Sequence, residues 1–197
     1  REPAWVSLFN RGAYHDLNVR PGDHALRLVG VHDGRELGSL SGVVRDGRFV
    51  NGHSAPFGGL DLARERETPA NVDALVRDVL AQLADLEVAE AEIRLPPSCH
   101  APSEPLVLFT LLNHGFTIAR AELNQHIDLE HVADRDAYVA SLKSPARRAL
   151  KHLAATPFEL VEAQSDADWL RAYELLAANR AAKGRALALS ADYVLCA

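Results

Sequence analysis

Two Asp-Gly pairs, Asp33-Gly34 and Asp46-Gly47, constrain this chain more than any other feature of its sequence. Asp-Gly suits the two-residue turn of an antiparallel hairpin, because both central residues of that turn take a positive φ. Each pair stands between stretches with strand character, which we place at 25–31, 37–44 and 48–53. The sequence therefore predicts an antiparallel meander of three strands.

Helical signals flank this meander. Residues 5–17 show a weak helical face, and Thr68 followed by Pro69 marks the start of a stronger helix. Ser103 is the expected cap of another helix, which ends at Gly115. We expect a short strand at 91–95 and a strand pair or one long bent strand at 116–129. One apolar stripe recurs at three- and four-residue steps along the helix after Thr68: Val72, Leu75, Val76, Val79, Leu80 and Leu83.

The remainder of the chain reads as mostly helical. Residues 134–155 predict two helices broken at Ser144-Pro145, and residues 158–161 predict a short strand. A long helix follows, capped by Ser165 or Asp166 and ended near Gly184. Ser190 then caps the start of one more helix. The fold class we expect is α/β of the α+β kind, a mixed sheet with flanking helices.

Composition limits the classes of function. The chain has 197 residues, 48% hydrophobic and 24% charged, with a net charge of -6, which favours a globular protein over a general nucleic-acid binder. Apolar runs stay below the roughly 18 residues that span a bilayer. Cys99 and Cys196 lie far apart, so we expect free thiols and a cytoplasmic location, and we expect no metal site. The chain contains no methionine, which suggests a trimmed or partial chain.

The order of elements from residue 5 to residue 129 resembles the GNAT fold of acyl-CoA-dependent N-acyltransferases. The region from 158 onward repeats its opening, and two such units joined by helices resemble the FemAB-like branch. This implies a first GNAT-like unit at 1–132, a helical connector at 133–156, and an incomplete second unit at 157–197. Three short motifs carry the resemblance: Ser54-Ala55-Pro56-Phe57-Gly58-Gly59, Leu142-Lys143-Ser144-Pro145-Ala146-Arg147-Arg148, and Tyr173 through Asn179-Arg180 to Lys183-Gly184.

The resemblance implies transfer of an acyl group onto an amine, with acetyl-CoA or another acyl-CoA as co-substrate. Such enzymes hold the pyrophosphate at a helix start, through a loop of the form Q/R-x-x-G-x-G/A. The matching part of the first unit has glycines but lacks that motif, and Asp61, Glu65 and Glu67 would repel phosphate. In the second unit the loop would fall beyond Ala197. We therefore expect the donor site to be largely missing from this chain.

Two stretches are candidates for contact with the acceptor. The first ends the third strand and comprises His53, Ser54, Phe57, Gly58 and Gly59; the alternative is a tight structural turn. The second contains Asn124, Gln125 and His126, which interrupt an apolar stretch; the alternatives are an internal polar network and an exposed strand face. The catalytic base stays open between His53, His126 and a carboxylate.

A basic helix face is the candidate anion site, for a phosphate, a CoA tail or an RNA backbone. The alternative for this face is an ordinary solvated surface, and for the segment 180–186 a plain helix C-terminus. These assignments leave three hypotheses: an N-acyltransferase acting on a small-molecule or peptide amine, a non-catalytic binding or assembly module, and an aminoacyl-tRNA-dependent transferase. We expect no membrane partner. The residues of the candidate anion site are Lys143, Arg147, Arg148, Lys151 and Arg180.

Overall fold

The predicted meander is present in the computed structural model, which describes residues 3–157, 159, 161–187 and 189–196. Its strands are β1 (His24–His32), β2 (Arg35–Arg45) and β3 (Arg48–Asn51), and both pairings are antiparallel. In both turns the two central residues have positive φ, 50° at the aspartate and 71° at the glycine. The Asp-Gly pairs therefore form the two hairpins, as the sequence predicts.

Two short strands complete a mixed sheet. β5 (Glu90–Glu92) lies beside β3 and runs parallel to it, which gives the order β1-β2-β3-β5. β4 (Leu60–Leu62), which the sequence did not predict, pairs antiparallel with β2 nearer the start of that strand, at residues 38–40. The expected α+β class, with a mixed sheet and flanking helices, is confirmed.

The helices before and after the sheet begin with different local chemistry. Residues 8–18 form a 3-10 helix (Leu8–Asn10) and then α1 (Gly12–Asn18), separated at Arg11, whose backbone is extended; the weak face at 5–17 is thus not one helix. After a 3-10 turn (Arg64–Arg66), α2 (Pro69–Asp85) begins at Thr68, whose side chain accepts a hydrogen bond from the Asn71 amide at 3.3 Å.

α3 (Glu104–Asn113) starts without the predicted cap. Ser103 has a helical backbone (φ −78°, ψ −4°), and its side chain makes no capping hydrogen bond. A cap residue must be extended before its hydroxyl can reach the third amide of the helix, and Ser103 is not. Gly115 ends the region with φ 86°, as predicted.

The core forms where α2 crosses the meander. Gly30 of β1 and Gly38 of β2 face each other across the sheet, and a Cβ on either would come within 2.8 Å of the Leu75 side chain. Five residues of α2 are buried in the same cluster as Leu28, Leu40 and Phe49. Each such side chain contributes about 1.5–3 kcal/mol when buried. The buried residues of α2 are Val72, Leu75, Val76, Val79 and Leu83.

The predicted strand or strand pair at 116–129 is wrong. These residues form no strand, and most of their side chains are exposed. Four apolar side chains of this stretch are more than half exposed: Ile118, Leu123, Ile127 and Leu129. A strand needs a partner for its backbone groups, and neither edge strand of the described sheet pairs with this stretch. The apolar residues of this stretch do not make it a strand when no partner strand lies beside it.

The chain divides into two compact units, Arg1–Asn124 and Gln125–Ala197. The C-terminal unit contains α4 (Arg135–Ser141), α5 (Ser144–Ala154), α6 (Asp166–Ala182) and α7 (Ala191–Cys196). The predicted break at Ser144-Pro145 and the Ser165 cap of α6 are both present. The strand predicted at 158–161 falls partly outside the described residues. The division at 1–132, 133–156 and 157–197 stays a prediction.

The length and composition of the helices determine whether any of them could cross a membrane. Of the helices in the described ranges, none is both long and apolar enough to cross a bilayer.

Thr68, which precedes α2, and Ser103, which precedes α3, give a matched test of helix capping. Thr68→Ala removes a capping hydrogen bond and should lower the free energy of unfolding by about 1 kcal/mol. Ser103→Ala removes a hydroxyl that caps nothing and should change it by less than about 0.5 kcal/mol. Urea denaturation measures both. Equal losses at the two positions would contradict this assignment of the caps.

Candidate functional site

A loop of eight residues, 52–59, lies where the two parallel strands end. β3 ends at Asn51 and β5 at Glu92, so their carboxyl ends meet beside this loop. The Gly58 amide donates to the Arg94 carbonyl oxygen at 2.8 Å, and Arg94 Nη1 donates to the Gly52 carbonyl oxygen at 3.3 Å. The carboxyl ends of parallel strands are a common place for ligand binding in α/β sheets. The first candidate stretch therefore lies at a suitable position.

The base of the loop is held by Asn51, which is fully buried. Its Nδ2 donates to the Ser41 carbonyl oxygen at 2.7 Å and to Asn10 Oδ1 at 3.2 Å. Its Oδ1 accepts from the Gly59 amide at 2.6 Å. A Cβ at Gly58 would lie only 2.4–2.6 Å from the Asn51 amide group, so this position has room for glycine alone. These contacts make loop 52–59 a rigid structural turn at its base.

Asp61 belongs to the same buried network. Asn10 Nδ2 donates to Asp61 Oδ2 at 2.9 Å, and the Ser7 amide donates to Oδ1 at 3.1 Å. Burial raises the pKa of Asp61 to about 6, although these hydrogen bonds act in the opposite direction. The sequence analysis counted Asp61 among the charges that would repel phosphate. Its carboxyl is instead turned inward onto Asn10 and Ser7.

Six rings gather around loop 52–59, and we call them the aromatic cluster: Phe9, Tyr14, His15, His53, Phe57 and His100. The Phe9 ring meets Tyr14 and Phe57 edge to face, with centroids 5.4 and 5.2 Å apart. His15 stacks on His53 at 5.2 Å, and Phe57 stacks on His100 at 5.3 Å. Only His53 and Phe57 were predicted site residues. The other four come from segments far away in sequence, so spacing carried no signal for them.

His53 lies at the inner side of the cluster. Both of its ring nitrogens are shielded from solvent. Burial is the main cause that lowers its pKa below the usual value, and Arg20 and Arg45 act in the same direction. The Asn18 backbone and Asp23 favour the charged form and offset part of the effect. A substrate cannot reach these nitrogens in this conformation, which argues against His53 as the base.

The outer side of the cluster carries the accessible polar groups. His100 is exposed, and Ser54 is exposed with a positive φ of 55°. Such a φ is uncommon for a serine and costs energy that the surrounding structure must supply. The imidazole of His100 and the hydroxyl of Ser54 are therefore the groups that a ligand could contact at this place.

The second acceptor stretch is a separate candidate. Asn124, Gln125 and His126 are all exposed, and the strand that was to carry them is absent. Asn124 Oδ1 lies 4.0 Å from the thiol of Cys99, a contact between two exposed side chains. The alternative of an internal polar network is also wrong, because these side chains are not buried.

A cavity of about 440 Å³ opens near the start of α2. Arg66 is held there by its hydrogen bond to the Glu36 carbonyl oxygen at 2.6 Å, and Asn71 Nδ2 donates to the Arg66 carbonyl oxygen at 2.9 Å. The sequence carried no signal for this cavity, because the first hairpin and the start of α2 contribute to it from distant segments. Its lining residues are His32, Asp33, Arg35, Leu37, Arg66 and Asn71.

The basic face predicted on α5 is present. Lys143 precedes the helix, and Arg147 and Lys151 follow at four-residue steps, with Arg148 beside them. All four side chains are exposed, and within the described part of the chain none forms an ion pair. Arg180 lies apart from them in sequence, in the last turn of α6, where Gly184 has φ 66°. The segment 180–186 is thus a helix C-terminus.

The amides of Gly58 and Gly59 are not available to the phosphates of an acyl-CoA. A pyrophosphate site needs free backbone N–H groups, and the amides of Gly58 and Gly59 already donate to Arg94 and Asn51. For metals, the described residues contain no group of three or more histidine, cysteine or carboxylate side chains that could hold an ion.

Comparison with known proteins does not assign this chain to a family. No family model, no curated protein and no solved structure matches this chain.

Asp61 should make stability depend on pH in a defined direction. Its pKa is raised to about 6 from 3.8, so its contribution is fully present below pH 3.8 and is lost as the pH rises through 6. Relative to Asp61→Asn, the free energy of unfolding should fall by about 2 kcal/mol between pH 4 and pH 7.

Urea denaturation of both proteins across this range gives the difference at each pH. Taking the difference cancels groups that titrate alike in both proteins, His53 included. A difference that does not change with pH would show that the Asp61 carboxyl is not buried as described.

Proposed function

We propose that this chain is part of an N-acyltransferase of the GNAT type, FemAB-like, and that it shapes the acceptor side of the site. The observation that carries the proposal is the parallel pair β3 and β5 at the end of an antiparallel meander. The carboxyl ends of this pair meet at loop 52–59, beside the aromatic cluster. Rings with a few polar groups are the usual lining of a small-molecule site.

An amine acceptor must lose a proton when it attacks an activated acyl carbonyl. A nearby imidazole can take that proton if its ring nitrogens are within reach of the amine. His100 meets this condition, because it is exposed and stacked on Phe57, whereas His53 is shielded. We assign proton acceptance to His100 and give Ser54 a hydrogen-bonding role toward the acceptor.

The binding site of the acyl donor is considered separately from that of the acceptor. The amides of Gly58 and Gly59 are engaged inside the protein, so these two donors are not left for a pyrophosphate. This supports the proposal that the acyl-CoA phosphates are held by residues outside the first GNAT-like unit, loop 52–59 included. The arginines at the α2 cavity are the alternative site that a test must exclude.

Acetyl-CoA should therefore not bind this chain by itself. At about 1 mM, it should leave the melting temperature unchanged, whereas a site with a Kd of about 10 µM would add about 2.7 kcal/mol of stability. Differential scanning fluorimetry measures this. A clear stabilisation that disappears in Arg35→Ala/Arg66→Ala would place the donor in the α2 cavity and contradict the proposal.

The acceptor side can be tested with primary amines. Amino acids, short peptides and polyamines are added in turn, and the proposal expects at least one class to raise the melting temperature. His100→Gln should reduce that shift, and His24→Gln, at an exposed histidine of β1, should leave it unchanged. If no amine stabilises the chain, or if His100→Gln has no effect, a non-catalytic binding module replaces the proposal.

A second candidate is a transferase that uses aminoacyl-tRNA. The observation that favours it is the exposed α5 face with Lys143, Arg147 and Lys151 in a row. Cations spaced along one helix face suit a phosphate backbone. The net charge of -6 acts against it, since the whole chain repels a polyanion.

This candidate predicts affinity for tRNA that depends on salt. Replacing Arg147 and Arg148 with glutamine should weaken binding at least about tenfold at low salt and flatten the salt dependence. Arg171→Gln on α6 is the matched control and should change little. Affinity that is the same in all three proteins would remove the tRNA hypothesis, and gel-shift titration provides the measurement.

A further inference from the structure

We propose that the stacked rings of His15 and His53 form a pH-sensitive latch that joins α1 to loop 52–59 and opens on acidification. The latch is a property of the fold and does not depend on the proposed activity.

The geometry of the stack favours two neutral rings. The imidazoles lie 5.2 Å apart and only 19° from parallel, with His15 buried at 5% exposure. Tyr14 closes the outer side: its ring lies 6.3 Å from that of His53, and its hydroxyl donates to the His53 carbonyl oxygen at 3.5 Å. A proton on the His53 ring would place a positive charge in a space shielded from water, which is costly.

The charged neighbours do not remove this cost. Arg20 and Arg45 both disfavour a positive charge on His53, and Asp23 favours it. Both carboxylate oxygens of Asp23 already accept from Arg45, at 2.5 and 2.6 Å, so the negative charge of Asp23 is largely neutralised. The Asn18 backbone is the remaining group that favours the charged ring.

The direction of the pH effect follows from these contacts. Burial lowers the pKa of His53 below its unfolded value of 6.5. The stability that comes from the neutral ring is thus present above pH 6.5 and is lost as the pH falls below it. Acidification should weaken the contact between α1 and the loop.

The base of the loop responds in the opposite direction. Asp61, which anchors the loop network through Asn10 and Ser7, gains a proton as the pH falls through about 6, and its burial then costs less. Acidification thus loosens the histidine stack while it lowers the cost of burying the Asp61 carboxyl. We expect α1 to detach locally while the loop base stays in place.

Hydrogen exchange measures such local opening. We expect the α1 amides of the intact chain to lose at least about tenfold protection between pH 7.5 and pH 5.5, after correction for intrinsic exchange, while the α2 amides keep theirs. His15→Phe/His53→Phe retains two stacked rings without a titrating group and should abolish the loss. His100→Phe, which replaces a stacked but exposed imidazole of the same cluster, should not.

Two results would overturn the latch: an equal loss of α1 protection in the double phenylalanine variant, or no loss in the unaltered protein. If the double variant does not fold, nuclear magnetic resonance titration of the unaltered protein decides. The latch requires His53 to titrate below the value of an exposed imidazole, about 6.5. A titration at or above that value would refute it.

Discussion

The N-terminal unit depends on how closely α2 approaches the meander. Gly30 and Gly38 face each other on adjacent strands, and the Leu75 side chain occupies the space that two Cβ atoms would need. Close packing of this kind leaves little freedom for the helix axis, because protein interiors tolerate neither voids nor overlaps. Once α2 is in place, the chain returns along β3 as the parallel strand β5. The parallel pair, and the loop at its end, follow from that approach.

The candidate site is built from polar groups that mostly serve the fold. The side chains of Asn51 and Asp61 form hydrogen bonds with loop 52–59 and with the segment of Ser7 and Asn10. The amides of Gly58 and Gly59 donate to groups within the protein. What remains for a ligand lies at the outer side of the aromatic cluster, at His100 and Ser54. The same arrangement makes loop 52–59 a rigid turn at its base.

Features that depend on residues close in sequence could be predicted, and features that depend on residues distant in sequence could not. The hairpin turns, the Thr68 cap and the Ser165 cap depend on residues a few positions apart, so local chemistry predicts them. The strand at 116–129 and the position of Asn124 and His126 depended on a partner strand, which sequence cannot supply. Asn10, Tyr14 and His100 escaped notice because each reaches the site from a distant segment. The direction of Asp61 depended on Asn10, about fifty positions earlier.

By itself, the sequence determined the meander, most of the helix starts and the basic face of α5, since turn chemistry, capping and helical periodicity act within a few residues of one another. Only the tertiary structure decided which polar side chains are buried, which histidine can meet a ligand, and that His15 stacks on His53. Burial is the physical reason for this division. It changes the pKa and the accessibility of a group through neighbours that are close in space and distant in sequence.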